Sequence, residues 1–179
     1  MRLTPETRDE IISWIKTIVF AMVFAFFITR VVIVNATIPT GSMEDTIMTN
    51  DRIVAFRLAY MASEPQRFDV IVFKYPDDED VLFVKRIIGL PGDTVEIRDG
   101  KVYINNSDIP LVDSFTKHKP TGDYGPYEVP EGSYFMLGDN RNSSADSRSW
   151  ENTYLNKDKI LGKVVFKYFP HIKIYRDEY

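Results

Sequence analysis

The chain contains no cysteine, which removes disulfides, thiol nucleophiles and thiolate metal sites together. It leaves the compartment open. Two histidines, His118 and His171, stand far apart in sequence. A zinc site or a Ser-His catalytic pair therefore has little to draw on, and surface or strand-end positions suit both residues better. A basic excess is also missing. The 22 Lys and Arg are outnumbered by 26 Asp and Glu, for a net charge of −4, so the totals imply no nucleic-acid partner. Repeats, low-complexity tracts and interdomain linkers are absent. What is plentiful is apolar material, 44% of 179 residues with 13% aromatic. That is enough for the core of one ordinary domain plus an anchor.

Residues 1–16 are polar to amphipathic, and Thr17–Thr29 then carries no charge. That window is shorter than the roughly 20 residues needed to span hydrocarbon. The apolar run resumes after Arg30 as Val31–Val34. Counting through the arginine gives a segment, 17–34, long enough for a transmembrane anchor with the guanidinium snorkelling to the headgroups. Trp14 sits where an interfacial aromatic would. A single spanning helix is the preferred reading. A cleavable signal peptide, for which Val34-Asn35-Ala36 offers a weak cleavage site, and a buried core helix are the alternatives. Arg2, Arg8 and Lys16 precede the segment, and no Lys or Arg follows Val34 until Arg52. The bias of positive charge toward the inside places 1–16 in the cytoplasm and 35–179 on the extracytoplasmic face of the cell membrane.

Beyond the anchor the chain reads as strands and turns. Arg52–Phe56 and Val70–Phe73 have strong β composition. Phe68–Tyr75 and Val81–Ile88 flank the acidic stretch Pro76–Asp80, a hairpin pattern. Thr94–Arg98 and Lys101–Ile104 flank Asp99-Gly100, which supplies the positive φ angles of a type I′ turn. Pro91-Gly92 suits the centre of a type II turn. Residues 105–131 read as loop, and Tyr134–Leu137 and Lys163–Phe169 as strands. The predicted fold is mainly β, an antiparallel β-sheet domain behind one N-terminal transmembrane helix. The apolar stretch Ile53–Met61 is expected to touch the bilayer surface.

Three groups could carry chemistry. In a strand, Val81, Phe83, Lys85 and Ile87 share one face, so the Lys85 ammonium emerges from an apolar row. Burial lowers a lysine pKa; a drop of about two units would raise the neutral fraction near a hundredfold and make a usable base. The alternative is that Lys85 and Arg86 mark a bulge or strand end and reach solvent. Ser42 lies in the constrained turn Pro39-Thr40-Gly41-Ser42, which could hold its Oγ fixed and turn backbone N–H groups and the Thr40 hydroxyl toward an oxyanion. Such a turn is also a common loop. The stretch Gly138–Arg148, dense in Asp, Asn, Ser and Arg, is either solvated or a hydrogen-bonded scaffold.

Taken together, Pro39-Thr40-Gly41-Ser42-Met43, Phe83–Asp93, and Gly138-Asp139-Asn140-Arg141 through Ser144-Ala145-Asp146-Ser147-Arg148 resemble the motifs of the bacterial type I signal peptidases, in the family's order and after a single anchor. The resemblance covers essentially the whole chain. It implies a membrane-bound Ser/Lys protease with Ser42 as nucleophile and Lys85 as general base. Ser144 would orient the Lys85 amine, and Thr40 with the Ser42 backbone N–H would form the oxyanion hole. Asp146 and Arg148 would form a supporting ion pair, with Asp139 and Arg86 nearby as further structural support. Substrates would be preproteins bearing signal peptides, tethered in the same bilayer and cut after small residues in an Ala-x-Ala pattern. No metal or cofactor is implied.

Two positions depart from the family pattern: Asp45 stands where proline is usual, and Glu151 where glycine commonly follows the aromatic residue. The short stretch between Thr94 and Pro130 resembles the compact Gram-positive type, and lysine at 85 separates the chain from the endoplasmic-reticulum type. The rival readings are a catalytically inactive membrane-anchored paralogue and a self-cleaving repressor of related fold, the latter lacking any DNA-binding segment here.

Overall fold

The computed structural model describes residues 5–117 and 119–175. Arg2 and His118, along with the outermost parts of the 1–16 and 35–179 segments, lie outside the described residues. Helix α1 (Pro5–Phe27) continues through a π-helical turn (Ile28–Val32). Proline at the first helical position costs nothing, because its missing N–H would have no partner there. Together the 28 residues rise about 42 Å, more than the ~30 Å of a hydrocarbon core. None of the α1 residues is buried against the domain. An apolar helix with no protein to cover it fits membrane anchoring. The helical segment ends two residues before the expected boundary, because Ile33 and Val34 open a strand and Val34 is buried in the core.

Among the described residues eleven strands follow: β1 (Ile33–Thr37), β2 (Arg52–Phe56), β3 (Val70–Tyr75), β4 (Asp78–Gly89), β5 (Thr94–Arg98), β6 (Lys101–Ile104), β7 (Tyr124–Glu128), β8 (Ser133–Leu137), β9 (Leu155–Asn156), β10 (Ile160–Phe169) and β11 (Lys173–Ile174). The large sheet runs β1-β2-β10-β3-β4-β8-β9, with β11 on β10, and the small one runs β6-β5-β7. Every pairing is antiparallel, so the mainly antiparallel β fold follows the sequence reading.

Local chemistry accounts for most elements. Asp99 and Gly100 take φ of 50° and 69°, the left-handed pair that a two-residue β5–β6 turn requires. The Asp93 N–H donates to the Leu90 carbonyl at 3.0 Å, closing the turn read from Pro91-Gly92. β3 is buried on both faces: Val70 and Val72 enter a core with Ile38, Met43 and Ile53, while Ile71 and Phe73 enter another with Ile87, Met136 and Trp150. That is why its sequence is a continuous apolar run. β8 divides in the same way, with Phe135 and Leu137 packing between the sheets against Ile88, Val95 and Ile97.

Three details differ from expectation. Asp78–Asp80 belong to β4, with Asp78 paired to Tyr75, so the acidic connection shrinks to Pro76-Asp77. β7 forms inside the stretch read as loop. Ile53, Val54 and Ala55 are buried, because β2 sits between β1 and β10 with its apolar side chains in the core. Of the stretch expected to meet lipid, Phe56 and Met61 are exposed and residues 57–60 half-buried.

Candidate active site

Ser42 lies on the connection between β1 and β2, whose ends are pinned. The Ile38 N–H donates to the Asp51 carbonyl at 2.9 Å, and the Asn50 N–H to Ile38 at 2.7 Å. The Asp51 carboxylate accepts from the Met48 N–H at 2.8 Å and from the buried Lys167 Nζ at 2.9 Å. Met43 and Ile47 plug the core on either side of a single helical turn, in which the Thr46 and Ile47 N–H groups both donate to the Met43 carbonyl. The serine is thus held by neighbours that cannot move without opening the core.

Lys85 enters from β4. Its side chain is buried, and Nζ donates to Ser42 Oγ at 2.6 Å. Burial pushes its pKa down to about 8, against the opposing pull of the Asp146 and Asp139 carboxylates. The alternative in which Lys85 and Arg86 reach solvent does not hold, since they are 4% and 1% exposed. β8 pairs with β4 only from Arg86 onward, so the Lys85 backbone borders open space while its amine points inward.

The stretch Gly138–Arg148 is a hydrogen-bonded scaffold. Arg86 grips Asp139 with Nε and Nη2 at 2.8 and 2.6 Å, and its Nη1 donates to the Phe68 carbonyl. Arg148 grips Asp146 with two bonds of 2.8 Å, while Asp146 also accepts the Gly138 N–H at 3.0 Å. Both pairs are buried and forked, and they fix geometry more than they add net stability. Asn140 ties the scaffold to the serine turn, its N–H to the Ser42 carbonyl at 3.1 Å and its amide to the Gly41 carbonyl at 3.2 Å. Composition gave no hint of this role for Asn140, which only the spatial meeting of two loops reveals.

Thr40 lines the cleft and is exposed. Ser144 reaches the site, but its buried Oγ makes no hydrogen bond; the bond to Lys85 implied by the resemblance is not formed. A Cβ on Gly138 would lie 2.2 Å from Ser144 Oγ and 2.5 Å from the Ser42 carbonyl oxygen, so only glycine fits between the two serines. The unusual Asp45 pairs with Lys117 at 3.1 Å, and the Glu151 N–H donates to Asp77 at 3.0 Å. His171 is exposed on the far end of β10. Among the described residues no group of acidic or histidine side chains could hold a metal.

The Ser42–Lys85 pair opens into a cleft of about 570 Å³, lined by Asn35–Thr40, Val81–Val84, Ser143 and Ala145 among others. Its walls are largely apolar with few polar groups, the make-up of a binding cleft. A buried, easily neutralised amine bonded to a serine hydroxyl is chemically able to take up that hydroxyl's proton.

Known proteins resemble this chain over most of its length. A family profile described as "Signal peptidase, peptidase S26" matches residues 11–169. The chain is 37% identical over 160 residues to a probable signal peptidase I-2 of Synechocystis sp., covering 87% of this chain and 72% of that one. It is 34% identical over 175 residues to signal peptidase I of Bacillus licheniformis, covering 93% of each. A crystal structure of a signal peptidase I from Enterococcus faecalis, 35% identical, aligns over 56% of this chain and 97% of its own with a TM-score of 0.48. The matched span takes in the strands, the serine turn and the lysine strand alike, and the chain belongs to the signal peptidase family, peptidase S26.

Proposed function

We propose that this protein is a membrane-anchored serine endopeptidase that removes N-terminal signal peptides from exported preproteins, with Ser42 as nucleophile and Lys85 as general base. The observation that carries the reading is the 2.6 Å bond between Lys85 Nζ and Ser42 Oγ at the floor of an apolar cleft. Ser42 Oγ attacks the scissile carbonyl as its proton passes to neutral Lys85. The resulting ammonium donates that proton to the leaving amine, an acyl-enzyme remains, and Lys85 then takes a proton from the water that hydrolyses it. The Ser42 N–H and the Thr40 hydroxyl serve the developing oxyanion. Ser144 orients the lysine once substrate fills the cleft, and the Asp146–Arg148 and Asp139–Arg86 pairs brace the loop that carries it.

The cleft runs between two strand edges that have no partner strand among the described residues, β1 on one side and the Val81–Val84 part of β4 on the other. An extended peptide laid there would gain main-chain hydrogen bonds, with alternate side chains turned to the wall. Ala36, Ile38, Val84 and Ala145 make that wall shallow and apolar, which suits small residues at alternate positions and hence an Ala-x-Ala pattern. α1 holds the domain on the extracytoplasmic face with the N-terminus in the cytoplasm, at the surface where a membrane-tethered substrate presents its cleavage site, and the shared tether raises effective concentration.

Cleavage of a preprotein carrying an Ala-x-Ala site by the detergent-solubilised protein, beside its Ser42→Ala variant, tests the proposal. Cut product from the unmodified chain alone is the expected result. No product from a folded protein supplied with lipid at pH 7–10 would favour the inactive anchored paralogue.

A further inference from the structure

The segment Asp113–Lys117, in the long connection between β6 and β7, belongs to neither sheet and lines no part of the cleft. Its neighbours Ile109 and Val112 are 76% and 77% exposed, while Phe115 packs against the core between the sheets and against Phe68. Its polar and cation contacts converge on the scaffold behind the serine. The Asp113 carboxylate accepts from Arg141 Nη1 at 2.6 Å, and the fully buried Arg141 donates from Nε to the Gly138 carbonyl at 3.2 Å. The Phe115 ring lies beneath the Arg86 guanidinium, 3.9 Å from Cζ to the ring centre, a cation–π contact on the arginine that forks Asp139. The Thr116 hydroxyl donates to the Asp139 carbonyl at 2.6 Å. Lys117 reaches Asp45 on the serine turn itself.

We infer that Asp113–Lys117 is a positioning strap, which fixes the Gly138–Asn140 main chain and through it the Ser42 turn in the geometry that the Ser42–Lys85 pair requires. The inference rests on the protease reading for its functional half. Gly138 is squeezed between Ser144 and the Ser42 carbonyl, and Asn140 binds the Gly41 and Ser42 carbonyls. A small shift of this main chain is therefore passed directly to the nucleophile. Misplacement of about 1 Å can cost on the order of a hundredfold in rate. Thr116 and Phe115 do not line the cleft, and they reach the site through Asp139 and Arg86.

Full-length protein in detergent provides the test, with Thr116→Val, Thr116→Ser and Phe115→Leu. Valine keeps the shape and loses the donor, whereas serine keeps the donor. For Thr116→Val and Phe115→Leu, kcat per folded molecule should fall roughly tenfold or more with KM within about twofold, and Thr116→Ser should restore kcat. Hydrogen exchange supplies a readout independent of cleavage. The Gly138 and Asn140 amides should exchange about tenfold faster in Thr116→Val, with the Val72 amide in β3 unchanged. An unaltered kcat in Thr116→Val, or an equal loss in the serine variant, would overturn the strap. If Phe115→Leu fails to fold, the threonine pair decides. Should the unmodified protein cleave nothing, the protease reading fails, and unchanged exchange in Thr116→Val then rejects the strap separately.

Discussion

The pH dependence of cleavage follows from how Lys85 is buried. With its pKa pushed down to about 8, roughly 9% of Lys85 is neutral at pH 7, against about 0.03% for an ordinary lysine near 10.5. Burial therefore supplies around a 300-fold larger population of neutral amine. If Lys85 takes the serine proton, kcat/KM should rise close to tenfold per pH unit below pH 7. The total gain between pH 6 and pH 8 is about fiftyfold, with no more than a further twofold by pH 10. Steady-state cleavage of an Ala-x-Ala peptide across pH 5.5–10.5, with circular dichroism confirming the fold at each pH, measures it. A flat profile between pH 6 and 9, or a midpoint above 10, would refute the assignment. The same burial costs stability with a definite sign. A lysine held below its unfolded value penalises the fold fully under pH 8, and the penalty fades as pH climbs from 8 toward 10.5. Each tenfold change in proton affinity is worth about 1.4 kcal/mol, so the cost at pH 7 is about 3 kcal/mol. Lys85→Met should accordingly be inactive yet more stable in urea at pH 7 by about 2–3 kcal/mol, after allowing for the lost bond to Ser42. That gain should vanish by pH 10.5.

Other substitutions read out the scaffold. Asp139→Asn leaves the buried Arg86 fork without its carboxylate and should cost about 3–5 kcal/mol, a fall of about 10 °C in Tm by calorimetry. Gly138→Ala places a methyl within 2.5 Å of the Ser42 carbonyl oxygen; kcat should fall at least about a hundredfold while the far-UV spectrum is kept. Lys117→Ala removes an exposed ion pair and should change urea stability by less than about 0.5 kcal/mol. Lys85→Arg should be inactive at every pH below 11, since the guanidinium does not release its proton.

Much of the architecture could be read from local pattern, because local pattern is what built it. Asp99-Gly100 dictated its turn, and the run Val70–Phe73 its doubly buried strand. The Val81–Ile87 alternation placed Lys85 on an apolar face. β7 escaped notice because Pro126 interrupts a weak pattern that becomes a strand only by pairing with β5. β1 was taken for the end of the anchor, since Ile33 and Val34 are apolar for either purpose, and lipid and core ask for the same side chains. The Ile53–Met61 stretch misled for that same reason. In the site, Ser42 and Lys85 stood out by residue type. The parts played by Asn140, Thr116 and Phe115 depend on where distant loops meet, and no spacing along the chain encodes that.

The bonds that assemble the site span the polypeptide. Lys85 and Ser42 are 43 residues apart, Gly41 and Asn140 are 99 apart, and Asp51 and Lys167 are 116 apart. Such distant closures form late and slowly. A ribosome delivers Ser42 early, beside the anchor and at the crowded surface where unfinished chains gather, but the turn that holds it is not locked until residue 167 has emerged and β10 has inserted between β2 and β3. A fragment ending short of β10 would lack the Lys167–Asp51 bond that pins the Ser42 turn. Organisation of that turn is thus tied by topology to completion of the large sheet, and peptidase activity is expected only from the whole fold.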